Sequence, residues 1–295
     1  MPVATQHKSL MDVHPRELKQ FVSDLPTLPV VFQELFSRMQ DPDTQVCELA
    51  EVIGKDQALT VKILKMVNSA FYGHASQVST ISRAVIIMGF QAVRSAALAV
   101  SVFDQFKGLE STARAFTLED FWRHSIGVSC VAKQFSMVLG RAEPEDAFVA
   151  GLLHDVGKLV MLQHFPEDVD DLTRAADEQQ LTWRACEDVL FPINHSRIGR
   201  ALFRAWDFPA AVIEAVAFHH APEDASRYAE LAAIVHLADY FSYHLDAGCP
   251  GAVAPRLHSQ DAAQLLGLTP DLASQVVERA REDMDESLEM LKLLD

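Results

Sequence analysis

The stretch Gly151-Leu152-Leu153-His154-Asp155-Val156-Gly157-Lys158 places a histidine directly beside an aspartate at the end of an apolar run. Imidazole nitrogens and carboxylate oxygens are the ligands of Zn, Fe or Mn, and one carboxylate can bridge two ions a few ångströms apart. Two ions held in this way activate water and clamp the oxygens of a phosphate ester. The question is which other side chains could complete such a site.

Further candidate ligands follow along the chain, all of them C-terminal to residue 116. His124 lies four residues after Asp120, so the two side chains share one face of a helix. The other candidates stand at the start of an Asn194-capped helix, at the end of the next helix and within an apolar stretch; they are His195, His219, His220 and Asp239. Spacing alone does not establish that these side chains converge.

Each candidate also has an ordinary structural interpretation. A histidine at a helix C-terminus, such as His220, complements the helix dipole, and taken singly His195 or His220 is more often structural than ligating. Asp239 could lie on a solvated helix face, although its neighbours are apolar, and Lys158 could be a surface charge. Only the joint pattern favours a metal site.

Capping residues and helix breakers predict an all-α fold, and the sequence contains no convincing run of alternating strand residues. In the first part of the chain the predicted helices begin at the N-caps Thr27, Thr44, Asp56 and Thr80. The segment 90–106 has the broad apolar surface of a buried central helix. The polar break at 107–114 then divides the chain into an N-terminal helical lobe, residues 1–116, and a second helical lobe, residues 117–295.

The predicted helices of the second lobe carry the candidate ligands. Thr117 and Asp120 begin a long helix that ends near Gly140, and another helix begins at 143 and runs into His154. Further helices are expected at 168–180, 182–190, 195 onward, 209–219, 227–244 and from Pro270 to the end of the chain. The candidate ligands therefore lie mostly at helix ends.

Composition sets limits on function. The chain has 295 residues, 49% of them apolar, which is enough for a sizeable core. A formal net charge of −16 argues against wrapping nucleic acid.

Polar residues interrupt the most apolar stretch, 84–103, and the first residues have no signal-peptide pattern, so we expect no membrane span and a cytoplasmic location. The four cysteines are widely separated, which predicts reduced core residues rather than disulfides or a thiolate zinc site.

The order of the candidate ligands resembles a known signature. His124, the His154-Asp155 pair and Asp239 are similar to the metal-binding residues of the HD superfamily of phosphohydrolases. His195 and the His219-His220 pair resemble the further histidines of the HD-GYP subgroup, which are cyclic di-GMP phosphodiesterases with two or three metals. The resemblance implies two divalent transition-metal ions, Fe, Mn or Zn, bound by these residues.

The resemblance also implies roles for individual side chains. Asp155 would bridge the two ions, Lys158 would contact a substrate phosphate, and Asp120 would stand where an acidic residue can bind a third ion. In the HD-GYP subgroup the histidine pair is followed by Glu and a Gly-Tyr-Pro segment, whereas here His219-His220 is followed by APEDASRYAE. The resemblance therefore does not extend to cyclic di-GMP hydrolysis.

The N-terminal half resembles the HDOD domain, a relative of HD-GYP found in bacterial signalling proteins. The segments LPTLPVVFQEL, DPDTQVCELAEVIGKDQALTVKILKMVNSAFYG and STISRAVIIMGFQAVRSAAL carry this resemblance, which extends over about 21–222. It implies a two-lobed helical fold whose second lobe is of the HD type, and a regulator that acts on signalling partners in trans. Within VNSAFYG, residues 68–73 could shape a groove for a partner or a ligand, or could simply form a turn between helices.

Three functional hypotheses remain open. The first is a signalling module that binds a partner protein or a nucleotide. The second is a metal-dependent phosphohydrolase acting on a nucleotide or another phosphoester, in which Asp155 and Lys158 would be the catalytic residues. In the third, the metal site stabilises the fold without turnover.

Overall fold

The computed structural model describes residues 9–13, 31–32, 34–35, 38, 44–68, 78–109, 116–245, 247 and 259–292. The protein is all-α, and within these ranges no residue belongs to a β-strand. None of the helices in this part of the chain combines the length and the apolar character needed to cross a bilayer.

Four helices are described in the N-terminal lobe: α1 Val46–Gly54, α2 Gln57–Val67, α3 Ile81–Met88 and α4 Phe90–Phe106. The predicted N-caps of α2 and α3 are confirmed, because Asp56 accepts a hydrogen bond from the Leu59 amide and Thr80 accepts one from the Arg83 amide. The prediction for α1 was wrong by one residue. Its N-cap is Gln45, because the Thr44 hydroxyl instead donates to a backbone carbonyl outside the helix.

Ten helices follow in the second lobe: α5 Leu118–Leu139, α6 Pro144–Leu153, α7 Val156–His164, α8 Pro166–Gln179, α9 Trp183–Leu190, α10 His195–Ala205, α11 Ala210–Phe218, α12 Ala229–Ser242, α13 Gln260–Leu266 and α14 Pro270–Lys292. Short 3-10 turns cover Leu10–Asp12, Pro222–Asp224 and Tyr243–Leu245. Helix α5 ends as predicted at Gly140, whose φ of 62° is a left-handed conformation that glycine adopts without strain.

Two predicted helix starts in this lobe were displaced. Helix α8 begins two residues early because Pro166 occupies its first turn, where a missing amide hydrogen costs nothing. Helix α12 begins two residues late because Oε1 of Glu214 accepts the backbone amides of Ser226, Arg227 and Tyr228 at 2.7, 2.6 and 2.9 Å. The same carboxylate therefore joins α11 to the start of α12.

Helix α5 is the centre of the second lobe and packs against α6, α12 and α14. A Cβ on Gly151 of α6 would lie 2.9 Å from the Cα of Ser129 on α5, so the two helix backbones are in direct contact. This close approach places the C-terminal end of α6 beside the middle of α5. Both helices carry candidate ligands.

The two lobes meet where α4 packs against α6. Arg94 forms an ion pair with Asp146, and the Ser95 hydroxyl lies 3.3 Å from the Glu145 carbonyl oxygen, to which it donates. Both acceptors lie in the first turn of α6, whose other end leads into His154. Residues 110–115 lie outside the described residues, so the division of the chain at 116 stays a prediction.

The predicted groove or turn at 68–73 falls mostly outside the described residues. Asn68 at the end of α2 is described, and its side chain donates to the Val78 carbonyl at 2.7 Å and accepts from the Val78 amide at 2.7 Å. These two bonds join the end of α2 to the residue that lies two before the N-cap of α3. The groove and the turn both stay predictions, because residues 69–77 lie outside the described residues.

Three of the four cysteines are described, and none of these three forms a disulfide. Cys130 and Cys186 are core residues as predicted, and burial raises the pKa of the Cys130 thiol to about 12. Cys47 is exposed on α1, so the prediction of a core position was wrong for this residue. The remaining cysteine, Cys249, lies outside the described residues.

Candidate metal centre

His154 and Asp155 form the junction between α6 and α7. His154 caps the end of α6, and its Nδ1 donates to the Gly151 carbonyl at 2.7 Å, so that Nε2 points away from its own helix. Asp155 precedes the first turn of α7. Burial of both side chains is almost complete, with 0% of His154 and 2% of Asp155 exposed.

The two oxygens of Asp155 face two different sets of imidazoles. Oδ2 lies 3.4 Å from Nε2 of His154 and 3.8 Å from Nε2 of His124. Oδ1 lies 3.2 Å from Nε2 of His195 and 3.8 Å from Nε2 of His219. This is the arrangement expected of a carboxylate that bridges two cations.

The first group comprises His124, His154, Asp155 and Asp239. Ligand atoms of the first three lie within 4.8 Å of one another, and Oδ1 of Asp239 lies 3.3 Å from Nε2 of His124. Helices α5 and α12 thus supply one residue each, and the α6–α7 junction supplies the other two. The other nitrogen of His124, Nδ1, lies 3.4 Å from the Ser242 hydroxyl.

The second group comprises Asp155, His195, His219 and His220, with ligand atoms again within 4.8 Å of one another. Nε2 of His195 lies 3.3 Å from Nε2 of His219 and 3.1 Å from Nε2 of His220. Nδ1 of His219 donates to the Val216 carbonyl at 2.8 Å, which leaves its Nε2 directed at the cluster. Three imidazoles and one carboxylate oxygen are a usual donor set for a divalent transition metal.

The charged groups of the cluster shift one another's pKa values. Burial would raise the pKa of Asp155, but His154, Lys158 and His195 together hold it well below its usual value. Burial lowers the pKa of His219 and of His220 well below 6.5, with the neighbouring imidazoles acting in the same direction. These two rings are therefore neutral near pH 7 and have lone pairs to donate.

The pKa values of two other histidines in the cluster shift in the opposite direction. Burial alone would lower the pKa of His154, but the Asp155 carboxylate raises it overall; for His195, burial is outweighed by Glu187 and Asp155. Without a cation, these two imidazoles therefore hold a proton more tightly than a free imidazole does. A cation at either group would compete with that proton.

Within the part of the chain that the structure describes, three buried atoms of the cluster lack a hydrogen-bond partner, namely Nε2 of His124, Nε2 of His154 and Oδ1 of Asp155. Unpaired polar atoms in a protein interior are costly and rare. All three atoms face the space between the ligand groups, so a bound cation would satisfy them. The residues present therefore fit a site for divalent metal ions.

Lys158 is not a surface charge, because only 4% of it is exposed. Its Nζ lies 2.5 Å from Oδ2 of Asp155 and 5.3 Å from the centroid of the Trp183 ring. The surface interpretation of Lys158 is therefore wrong. Asp239, with 16% of its side chain exposed, is not on a solvated face either.

Asp120 is the one predicted ligand that the structure does not bring into the cluster. Its side chain is exposed in the first turn of α5, and its Oδ2 accepts the Thr117 hydroxyl hydrogen at 2.6 Å. The Thr117 hydroxyl accepts the Asp120 amide in return at 3.0 Å. The position of Asp120 is explained by the helix cap alone.

Sequence reasoning missed residues that contact the candidate ligands, and Glu187 and His236 are two of them. Glu187 lies on α9, and its Oε2 is 2.6 Å from Nδ1 of His195. His236 lies on α12, and its Nδ1 donates to the His219 carbonyl at 2.8 Å. A signal for Glu187 was present, since it stands four residues after the buried Trp183 and so on the same helix face. His236 was not among the candidate ligands, because nothing in its spacing distinguishes it from a structural or surface histidine.

The glycine of the His-Asp-x-Gly-Lys pattern, Gly157, lies where helix α7 packs closely against the start of helix α10. A Cβ at this position would lie 2.0 Å from the carbonyl oxygen of His195 and 3.0 Å from the amide nitrogen of Gly199. Helix α10 therefore begins directly against the backbone of α7. This contact holds His195 beside Asp155.

Comparison with known proteins places the fold and the cluster in context. The chain is similar to the solved structure of a candidate phosphohydrolase from Shewanella amazonensis SB2B, with 26% identity and a TM-score of 0.74, over 94% of this chain and 98% of that one. It is also similar to an HDOD domain protein with unknown function from Geobacter sulfurreducens, with 26% identity and a TM-score of 0.71, over 95% of each chain. A signal transduction candidate from Marinobacter aquaeolei VT8 shares the fold at 20% identity (94% and 66%, TM-score 0.77).

A curated relative and a family model add to this. An uncharacterized protein of Treponema pallidum (strain Nichols) is 27% identical over 237 residues, which are 80% of this chain and 45% of that protein, so this chain spans less than half of that relative's length. The HDOD domain model matches residues 25–222. The chain therefore belongs to the HDOD domain family.

Proposed function

We propose that this protein is a regulatory signalling module whose second lobe binds two divalent transition-metal ions, Fe, Mn or Zn. The observation that carries the proposal is the Asp155 carboxylate, which turns one oxygen towards each of two imidazole groups. The neutral His219 and His220 and the unpaired Nε2 atoms of His124 and His154 support it. Nitrogen and oxygen donors together suit these three metals.

The packing of the lobes supports a regulatory role. Helix α6 contacts α4 of the N-terminal lobe through Asp146 at one end and leads into His154 at the other. A change in the ligands of the first group would therefore act on a helix that is fixed to the N-terminal lobe. In this proposal the output passes to a signalling partner in trans, and a nucleotide or another phosphoester is the ligand that the metal centre would accept.

Metal titration of the metal-free protein tests the proposal. We expect two ions per chain at about pH 8 and weaker binding at about pH 6, because a cation must displace the protons that His154 and His195 hold at raised pKa. Isothermal titration calorimetry in two buffers of different ionisation enthalpy measures the released protons, and elemental analysis counts the ions. Protein that takes up no transition metal would refute the proposal.

Hydrolysis of a phosphoester is the second candidate, and the position of Lys158 favours it. Its ammonium lies beside Asp155 within the cluster, and the half-buried His220 and Asp239 form the more exposed edge of the ligand groups. Ions held there would activate water and offset phosphate charge, while Lys158 would contribute a further positive charge. The similarity to the Shewanella candidate phosphohydrolase agrees with this chemistry.

Assays of metal-loaded and metal-free protein on a panel of phosphomonoesters and phosphodiesters separate the two candidates. If the protein is a hydrolase, the metal-loaded form turns over a member of the panel, and Lys158→Gln lowers kcat/KM by at least about tenfold, as expected for one lost electrostatic contact. Turnover that is the same with and without metal would contradict the hydrolase reading. Stable metal binding with no turnover would leave the regulatory module as the function.

A further inference from the structure

Glu187 makes two hydrogen bonds to one residue of the second group. Its Oε2 lies 2.6 Å from Nδ1 of His195, and its Oε1 accepts the backbone amide of the same residue at 3.3 Å. Both side chains are fully buried. One carboxylate from α9 thereby fixes both the backbone and the ring of the first residue of α10.

The partner of His195 differs in charge from those of the other oriented imidazoles. Nδ1 of His154 and Nδ1 of His219 donate to the backbone carbonyls of Gly151 and Val216. A carbonyl orients the ring but carries no net charge, whereas a buried carboxylate also increases the electron density at the opposite nitrogen. Nε2 of His195, which faces Oδ1 of Asp155, is therefore the more strongly donating nitrogen.

We infer that Glu187 is a positioning residue that makes the two metal positions unequal, so that the second group binds its ion more tightly than the first. The inference rests on the proposed metal binding and concerns residues of this chain only. Glu187 holds His195 in the tautomer with hydrogen on Nδ1 and adds a negative charge on the side of the second group. When metal is limiting, the second group fills first.

The charges around the two groups also differ. Lys158 lies beside Oδ2 of Asp155, the oxygen that faces the first group, and its positive charge is offset by the Asp239 carboxylate of that group. Glu187 lies behind the second group and adds a negative charge there. With Asp155 shared between the groups, the added charge of Glu187 favours a divalent cation at the second group.

The test compares Glu187→Gln with Asp188→Asn in competitive Zn²⁺ titrations of the full chain against a chromophoric chelator. Glutamine keeps an oxygen that can accept the Nδ1 hydrogen but removes the charge. Asp188 is the next residue on α9, is half exposed and pairs with Arg184, so its replacement removes a carboxylate without touching His195. Asp239→Asn, a change in the first group, identifies which binding step belongs to which group.

We expect Glu187→Gln to weaken the tighter step by about 10- to 100-fold and to leave the other step unchanged, while Asp188→Asn leaves both steps as they are. Equal weakening of both steps, or no weakening, would overturn the inference. A second readout uses the metal-free protein: the hydrogen-bonded Nδ1 proton of His195 gives a downfield NMR resonance that Glu187→Gln should move upfield.

The NMR readout keeps this inference separate from the proposed metal binding. If wild-type protein took up no Zn²⁺, the metal proposal would fail, and with it the claim of unequal metal positions. An upfield shift in Glu187→Gln would then still support the role of Glu187 in fixing the ring of His195. An unchanged resonance would overturn that role whether or not metal binds.

Discussion

Asp155→Asn is expected to abolish binding at both metal positions at once. Each carboxylate oxygen of Asp155 serves a different ligand group, and an amide offers one neutral oxygen and a nitrogen that cannot ligate. Every other ligand belongs to one group only, so its replacement should weaken one binding step and spare the other. Elemental analysis after metal loading measures the difference between Asp155→Asn and Asp239→Asn.

The same replacement should destabilise the metal-free protein by about 3–5 kcal/mol, because it leaves the Lys158 ammonium buried without its anion. The double variant Asp155→Asn/Lys158→Met removes both charges and keeps the volume of the lysine stem. It should regain most of the free energy of unfolding in urea and still bind no metal. Metal binding by the double variant at the wild-type level would show that Asp155 is not the shared ligand.

Gly157→Ala is expected to destabilise the protein by about 3 kcal/mol or more, at the upper end of the range for overpacking. The new Cβ would lie 2.0 Å from the His195 carbonyl oxygen, and the obstructing atoms belong to backbone that cannot turn aside. Helices α7 and α10 would have to separate, which would also withdraw His195 from Asp155. Thermal unfolding and the metal titration should therefore be impaired together.

Gly54→Ala provides a matched control for this substitution. Gly54 also lies in a helix, at the end of α1, but among the described residues no atom beyond its own helix backbone and chain neighbours lies within 4 Å of the position its Cβ would take. Alanine there should change stability by no more than about 1 kcal/mol, and in the favourable direction. If the two variants unfolded at the same temperature, the close contact between α7 and α10 would not be present in solution.

The sequence was sufficient for the fold class and for most of the ligand set. Capping residues such as Thr80, Thr117 and Asn194 bind amides of their own helices, so their signals are local and were read correctly. Helix ends that depend on distant partners were not predictable in this way. The late start of α12 is set by Glu214 from another helix, which no local pattern records.

In the candidate site, too, some residues could be predicted from the sequence, whereas others depend on how the helices pack. Seven candidate ligands were predicted because their order resembles a known signature, and the structure brings the seven side chains together. Asp120 was included because the resemblance implies an acidic residue there that can bind a third ion, yet the cap at Thr117 accounts for its carboxylate. Glu187 was missed because a contact between α9 and α10 depends on how the helices pack, which spacing along the chain does not determine.

The ligands come from helices that are far apart in the sequence, from α5 to α12, and His124 and Asp239 are separated by more than a hundred residues. Ions bound there would act as cross-links between segments that meet only in the folded chain. Because the unfolded chain has no such site, a free metal concentration a hundredfold above Kd would add about 2.7 kcal/mol per site to the free energy of unfolding. Metal supply would then set how long each molecule survives proteolysis, and so the amount of the protein in the cell.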